Sequence, residues 1–162
     1  MALTVIALTG CAQDKTPAVQ ERIGVYDSRA IAVAYVGSTW QEKKMKELTA
    51  QRRNAREAGD TNRVSRLEAE GRAWQSELKQ QGFGTAPVDD LLAEIASDLP
   101  TIFEAAGVTG VISKWNKTEL DKHPHAIRVD ITMRLVDAFQ PNEIQRKRAI
   151  EIQKMKPEKI KE

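Results

Sequence analysis

Two short strand-like pieces, Ile23 to Asp27 and Val108 to Ser113, bracket about 80 residues of mostly helical, highly charged sequence. A sheet so poor in strands cannot bury two faces by itself, so its apolar side must be covered by helices or by other copies of the chain. The arrangement predicts an α+β fold with a small β head, built from strands near residues 22–27, 108–113 and 126–130, and a short antiparallel helical hairpin arm. It makes oligomerisation the leading expectation. Of the 162 residues 41% are apolar, and they are spread through charged segments, which leaves less core than the length suggests.

Lys and Arg number 25 against 23 Asp and Glu, a net charge of +2. No global field therefore draws the chain toward nucleic acid. The single cysteine, Cys11, excludes an intramolecular disulfide framework and a thiolate-rich zinc site. No window reaches the roughly 18 apolar residues that a membrane-spanning helix needs.

Cys11 follows the apolar run Ala2 to Leu8 in the tetrad Leu8-Thr9-Gly10-Cys11. This looks like the lipobox at which bacterial lipoprotein signals are cut and the cysteine is acylated, with Gln13 to Gln20 as a polar tether. On that reading residues 1–21 are signal and tether, Cys11 is the lipidation site, and the compartment is the periplasm. The run is short and no Lys or Arg precedes it, so an ordinary N-terminus with an idle thiol is the alternative.

Along the chain, Ser28 is placed to cap a helix from Arg29 to about Val36, with Gly37 as its stop. From Thr39 to Gln80 the spacing predicts two helices joined at Ala58-Gly59-Asp60. Met45, Leu48, Arg52 and Ala55 form one seam, and Val64, Leu67, Gly71, Trp74 and Leu78 form the other. At about 20 residues each, the arms reach roughly 30 Å. Gln81 to Pro87 should break the second helix. Phe83, between two glycines, reads better as a plug on the hairpin base than as an exposed contact.

A further helix is predicted over Val88 to Ala106, with Asp89 and Asp90 in its first turn and a kink or break at Pro100. Leu91, Leu92, Ile95, Leu99, Ile102 and Phe103 form its apolar face. The second strand is followed by a polar loop through His125, the third strand by a helix from Met133 to Phe139 capped by Thr132. Residues 140–162 read as a basic amphipathic tail, helical from Pro141 until Pro157.

Three segments then carry a resemblance to a known family. They are Arg22-Ile23-Gly24-Val25-Tyr26-Asp27-Ser28, Ala106-Gly107-Val108-Thr109-Gly110-Val111-Ile112 and Val129-Asp130-Ile131-Thr132-Met133-Arg134-Leu135-Val136. In order and spacing, with a helical hairpin between them, residues 22–139 resemble the Skp/OmpH-like periplasmic chaperones. The resemblance implies a homotrimer in which each subunit contributes strands to a shared head, while helical arms enclose unfolded outer-membrane proteins. It brings no catalytic residues and no cofactor. Arg52, Arg53 and Arg56 near the hairpin tip, together with Trp74 and Phe83, are the candidate client-binding residues.

Other chemistry is thin. His123 and His125 flank Pro124, but no third metal ligand is obvious and a solvated loop is the better reading. Ser28 lacks a Gly-x-Ser-x-Gly elbow, and the adjacent Asp89 and Asp90 are accounted for by the helix dipole. The chain therefore reads as a non-enzyme. Residues 41–82 hold ten basic against seven acidic side chains, and the tail from Glu143 to Glu162 seven against four. Three readings follow: an envelope chaperone for unfolded proteins, an envelope scaffold or anchor without holding activity, and a cytoplasmic protein whose basic hairpin tip touches nucleic acid through phosphate charge alone.

Overall fold

Arg22–Tyr26 forms the central strand, β1, of a three-stranded sheet in the computed structural model, which describes residues 20–160. Val111–Ser113 (β2) and Ile127–Asp130 (β3) flank it, both parallel to it, in the order β2-β1-β3. Parallel neighbours need crossover connections, and the chain supplies two. The first contains the whole helical excursion from residue 27 to residue 110; the second holds a one-turn helix. Gly24 lies opposite Val111 on one side and Val129 on the other. A Cβ there would fall 2.7 Å from Ile131 Cδ1, so this glycine is what lets Ile131 close down on the sheet.

Directly after β1 comes α1 (Ser28–Tyr35), whose run Ala30 to Tyr35 has no polar face. A helix apolar all round has to be surrounded, and α1 is the buried axis of the molecule. Against it pack the C-terminal half of α3 (Thr61–Phe83), α7 (Thr132–Ala138) and α8 (Glu143–Ile152). Tyr35 meets Phe139 edge-on at 6.1 Å, and Trp40 meets the same ring at 5.6 Å.

α2 (Thr39–Glu57) and α3 form the arm, joined through Ala58, Gly59 and Asp60. Their contacts run in opposite senses along the chain: Arg56 pairs with Glu68, Leu48 lies over Gly71, and Lys44 stacks on Trp74. At the tip Ala55 and Leu67 are buried, but most of α2 faces solvent. Gly59 has φ +69°, a left-handed turn conformation suited to glycine.

Several boundaries differ from the sequence reading. The cap of α1 is Asp27, whose side chain accepts from the Arg29 N–H, and Ser28 is the first helical residue. β2 as a regular strand is shorter than Val108 to Ser113, because the chain bends at Thr109, although the Thr109 N–H already donates to the Arg22 carbonyl at 3.0 Å and the Gly110 carbonyl accepts from the Gly24 N–H at 2.8 Å. The helix expected over Val88 to Ala106 is two helices, α4 (Asp89–Glu94) and α5 (Leu99–Ala106). They part ahead of Pro100, which falls in the first turn of α5, where its missing N–H costs nothing. Lys117–Leu120 forms a short helix, α6, within the expected polar loop. Thr132 opens α7 without capping it, and its hydroxyl instead accepts from the backbone N–H of Asp27 at 3.0 Å. α8 stops at Ile152, short of Pro157, after starting from a reciprocal capping box between Asn142 and Gln145.

Candidate functional site: an apolar groove at the root of the arm

Where the arm joins the head, three segments distant in sequence leave a groove of about 420 Å³. α1 supplies Ala32, Val33 and Val36; the last turns of α3 supply Leu78, Gly82 and Phe83; and α8 with its extension supplies Ile152 and Met155. Gly82 faces Ala32, where a Cβ on the glycine would lie 3.9 Å from the alanine Cβ, so two small residues meet at the junction between the helices. Polar groups enter only from α8, as Gln145, Arg148 and Glu151. Gln145 is held in place by donating to the Val36 carbonyl at 2.8 Å.

Large apolar side chains are left open around it. Val36 and Phe83 are each 46% exposed and Met155 is 57% exposed. Three such residues converging on one concavity form a contact surface of the kind that marks binding sites on soluble proteins.

Beneath the groove is a buried polar anchor. The Asp27 carboxylate, at the carboxyl end of β1, accepts from Arg29 Nη2 at 2.8 Å, Arg29 Nε at 3.1 Å, Lys114 Nζ at 2.7 Å and Trp115 Nε1 at 3.2 Å. Burial pushes the Asp27 carboxyl up, but the hydrogen bonds from Arg29 and Lys114 outweigh it and hold the group below the usual carboxylate range. Trp115 packs with its ring centroid 4.9 Å from the Arg29 guanidinium and 4.7 Å from the Lys114 ammonium. The remaining arm of the guanidinium, Nη1, donates to the Met155 carbonyl at 3.0 Å and so ties the anchor to the groove wall. Every hydrogen-bonding position of the Asp27 carboxylate is engaged, which makes the cluster a brace and not an acid–base centre. Tyr26 and Tyr35 are both pushed up to about 12, chiefly by burial, so neither phenol ionises near neutrality.

The residues picked out from sequence scatter. Cys11 lies outside the described residues. Arg52 is half-buried; Arg53 and Arg56 are exposed at the arm tip and engaged with Glu57 at 3.9 Å and Glu68 at 3.0 Å. Glu68 is fifteen positions before Phe83 on α3, about 22 Å along the helix, so the arginines and the groove are separate features. Trp74 is only 6% exposed and packs with the core beneath Lys44, away from the groove. Phe83 is the reverse case. α3 continues through Gly82 and ends at Gly84, which turns Phe83 toward solvent at the groove mouth, so it is not a plug. His123 bonds Glu21 through Nδ1, and among the described residues no three His, Cys, Asp or Glu side chains are grouped to hold a metal ion.

Arg29 and the α8 wall were not legible as site residues. A lone arginine at a helix start reads as solvated, and a groove whose walls come from residues 32, 83 and 152 leaves no local pattern. The fold and groove define an α+β protein with a three-stranded parallel sheet, a helical arm and an apolar cleft at the arm's root. Comparison with family models, curated proteins and solved structures finds no match to the chain.

Proposed function

We propose that this chain is a non-enzymatic envelope protein that holds unfolded outer-membrane proteins, gripping apolar client segments in the groove at the root of its arm. The observation that carries this reading is the convergence of Val36, Phe83 and Met155, all substantially exposed, on one apolar concavity. An unfolded β-barrel chain presents alternating apolar residues, and each that enters the groove gains about 25 cal/mol per Å² of apolar surface removed from water. The basic excess of the arm favours encounter with acidic clients. The segments resembling Skp/OmpH-like chaperones support the same role.

In this proposal the protein works in the periplasm, anchored through an acylated Cys11, and assembles as a homotrimer. Two features favour assembly. β2 and β3 leave both outer edges of the sheet without a partner strand among the described residues, and α5 is apolar yet has no fully buried residue. Sedimentation of the chain starting after Cys11 should give about three times the monomer mass.

The holding role is tested by the aggregation of an unfolded β-barrel protein. The intact chain should slow it, and the double variant Phe83→Ser with Met155→Ser should not. Equal protection by both would remove the groove from the mechanism, and no protection by either would leave the scaffold reading. That second reading is favoured by the arm itself, since 23 residues of α3 reach only about 35 Å and enclose little space.

A further inference from the structure

At the carboxyl ends of β1 and β2 the chain leaves the sheet toward opposite faces. Partnered residues of a parallel sheet share a face, so Gly24, Val111 and Val129 point one way, with Tyr26, while Ile23 and Arg128 point the other. The first face carries the main core, to which α1 belongs. The second carries α6, where Arg128 reaches the Leu120 carbonyl at 3.4 Å. Neighbouring parallel strands whose outgoing connections part in this way leave a crevice beyond their carboxyl ends, the place where open parallel sheets bind ligands.

In this molecule the crevice is a cavity of about 410 Å³, a size typical of small-molecule sites. Tyr26 lies at the end of β1, Ile112 and Trp115 come from β2 and the turn after it, and Glu119 from α6; Pro87 and Asp89, at the entry to α4, form the facing wall. None of its lining residues belongs to the apolar groove at the root of the arm.

Two of these side chains are poised for a ligand. Tyr26 is 5% exposed, and a buried phenol ordinarily finds a hydrogen-bond partner. No partner is found for its hydroxyl among the described residues, yet the oxygen is not among the sealed, unsatisfied atoms, so it opens into the cavity. Asp89 is the charge that acts on this phenol, which sets the carboxylate at the same end of the crevice. Glu119 is engaged by Lys122 at 2.6 Å, whereas Asp89 has no ion-pair partner among the described residues.

We propose that the crevice binds a small organic cation, a guanidinium or protonated amine on a short apolar stem. The head pairs with the Asp89 carboxylate and donates to the Tyr26 hydroxyl oxygen, while the stem runs along Pro87 and Ile112. A free alkylguanidine and an arginine side chain of an unfolded chain carry the same chemistry. The site is independent of client holding in the groove.

The test titrates butylguanidine into the full chain labelled with nitrogen-15, reading the Trp115 indole and Asp89 amide resonances, with the neutral isostere butylurea beside it. Butylguanidine should give saturable shifts at both positions and bind at least about tenfold more tightly than butylurea, the worth of a charge-assisted hydrogen bond. Asp89→Asn should lose about tenfold in affinity and Tyr26→Phe about threefold. Glu143→Gln, which removes an equal charge from α8, should bind like the parent. Shifts that do not saturate, equal binding of butylurea, or an equal loss in Glu143→Gln overturns the site. A capped Gly-Arg-Gly peptide then separates the sources: shifts at the same resonances assign the site to arginine side chains, and their absence where butylguanidine binds assigns it to a free cation.

Discussion

Arg29 Nη2 lies 2.8 Å from Asp27 Oδ2 with both side chains 1% exposed, two residues apart across the junction of β1 and α1. A buried pair so close in sequence is not there to bring distant segments together by itself. Its other contacts do that: Lys114 and Trp115 arrive from beyond β2, Thr132 from beyond β3, and Met155 from the tail. Through its carboxylate Asp27 holds the residues beyond β2, and through its backbone N–H the Thr132 hydroxyl beyond β3, while Arg29 adds the tail at Met155.

Replacing Asp27 by Asn keeps the shape but leaves Arg29 and Lys114 without their counter-charge. Breaking a buried pair from one side costs about 3 kcal/mol or more. Urea denaturation of Asp27→Asn should show a midpoint lowered accordingly with an unchanged slope, and a loss below about 1 kcal/mol would mean the brace is dispensable.

The same carboxylate gives stability a pH dependence of definite sign. Its folded pKa is held below the ordinary value, mainly by hydrogen bonds from Arg29 and Lys114 acting against burial. The unfolded chain therefore takes up the proton first as the pH falls. The contribution is complete above the ordinary carboxylate range and is lost as the pH drops through that range to the lower folded value. Unfolding free energy measured from pH 7 downward should fall over this interval, and Asp27→Asn should flatten that part of the fall. An identical pH profile in the two proteins would assign the acid sensitivity to other groups.

Gly24 is the tightest point of the sheet. A methyl group there would meet Ile131 Cδ1 at 2.7 Å and Val111 Cγ1 at 3.0 Å. Ile131 is fully buried and has little room to yield. Gly24→Ala should therefore destabilise by about 1–3 kcal/mol through overpacking, although alanine is the better residue for an ordinary backbone. Thermal melting decides the point, since a raised Tm would show that Ile131 repacks freely.

How far the sequence discloses this fold depends on whether each signal is local. The strands around Val25 and Val111 are readable because β-branched residues alternate with small ones between turn signals, and the helical arm because its periodicity runs for several turns. Asp27 and Ser28 are both good caps, and the choice between them was made by Lys114, Trp115 and Thr132, which no local window contains. Ile95 to Asp98 looked helical from its apolar spacing, yet the chain breaks there and lets Pro100 start a new helix. The groove left a single trace, a run from Ala30 to Tyr35 with no polar face, which announces that α1 must be surrounded but not that the surrounding is incomplete beside Val36.

Within the arm, Gly71 faces Leu48, whose Cδ2 lies 3.3 Å from the position a Cβ would take. That contact is with the end of a flexible side chain on a mostly exposed helix, and the interior of α3 is a poor place for glycine. Gly71→Ala should stabilise the protein by about 0.5 kcal/mol, the helix-propensity gain less the cost of shifting Leu48. A measured loss would mean that the seam between α2 and α3 is packed as tightly as the head.

Trp74 and Phe83, nine residues apart on α3, should separate folding from binding. Trp74 is buried in the core with Lys44 over its ring at 5.0 Å, so Trp74→Ala should cost about 3–5 kcal/mol. Phe83 is 46% exposed and contributes little to that core, so Phe83→Ser should cost below about 1 kcal/mol. The order reverses for an apolar dye or an unfolded β-barrel client measured where both variants remain folded: Phe83→Ser should lose most of the affinity, and Trp74→Ala should keep it. If Phe83→Ser instead unfolds the protein, its ring belongs to the core after all, and the exposed edge of the groove is not where clients are held.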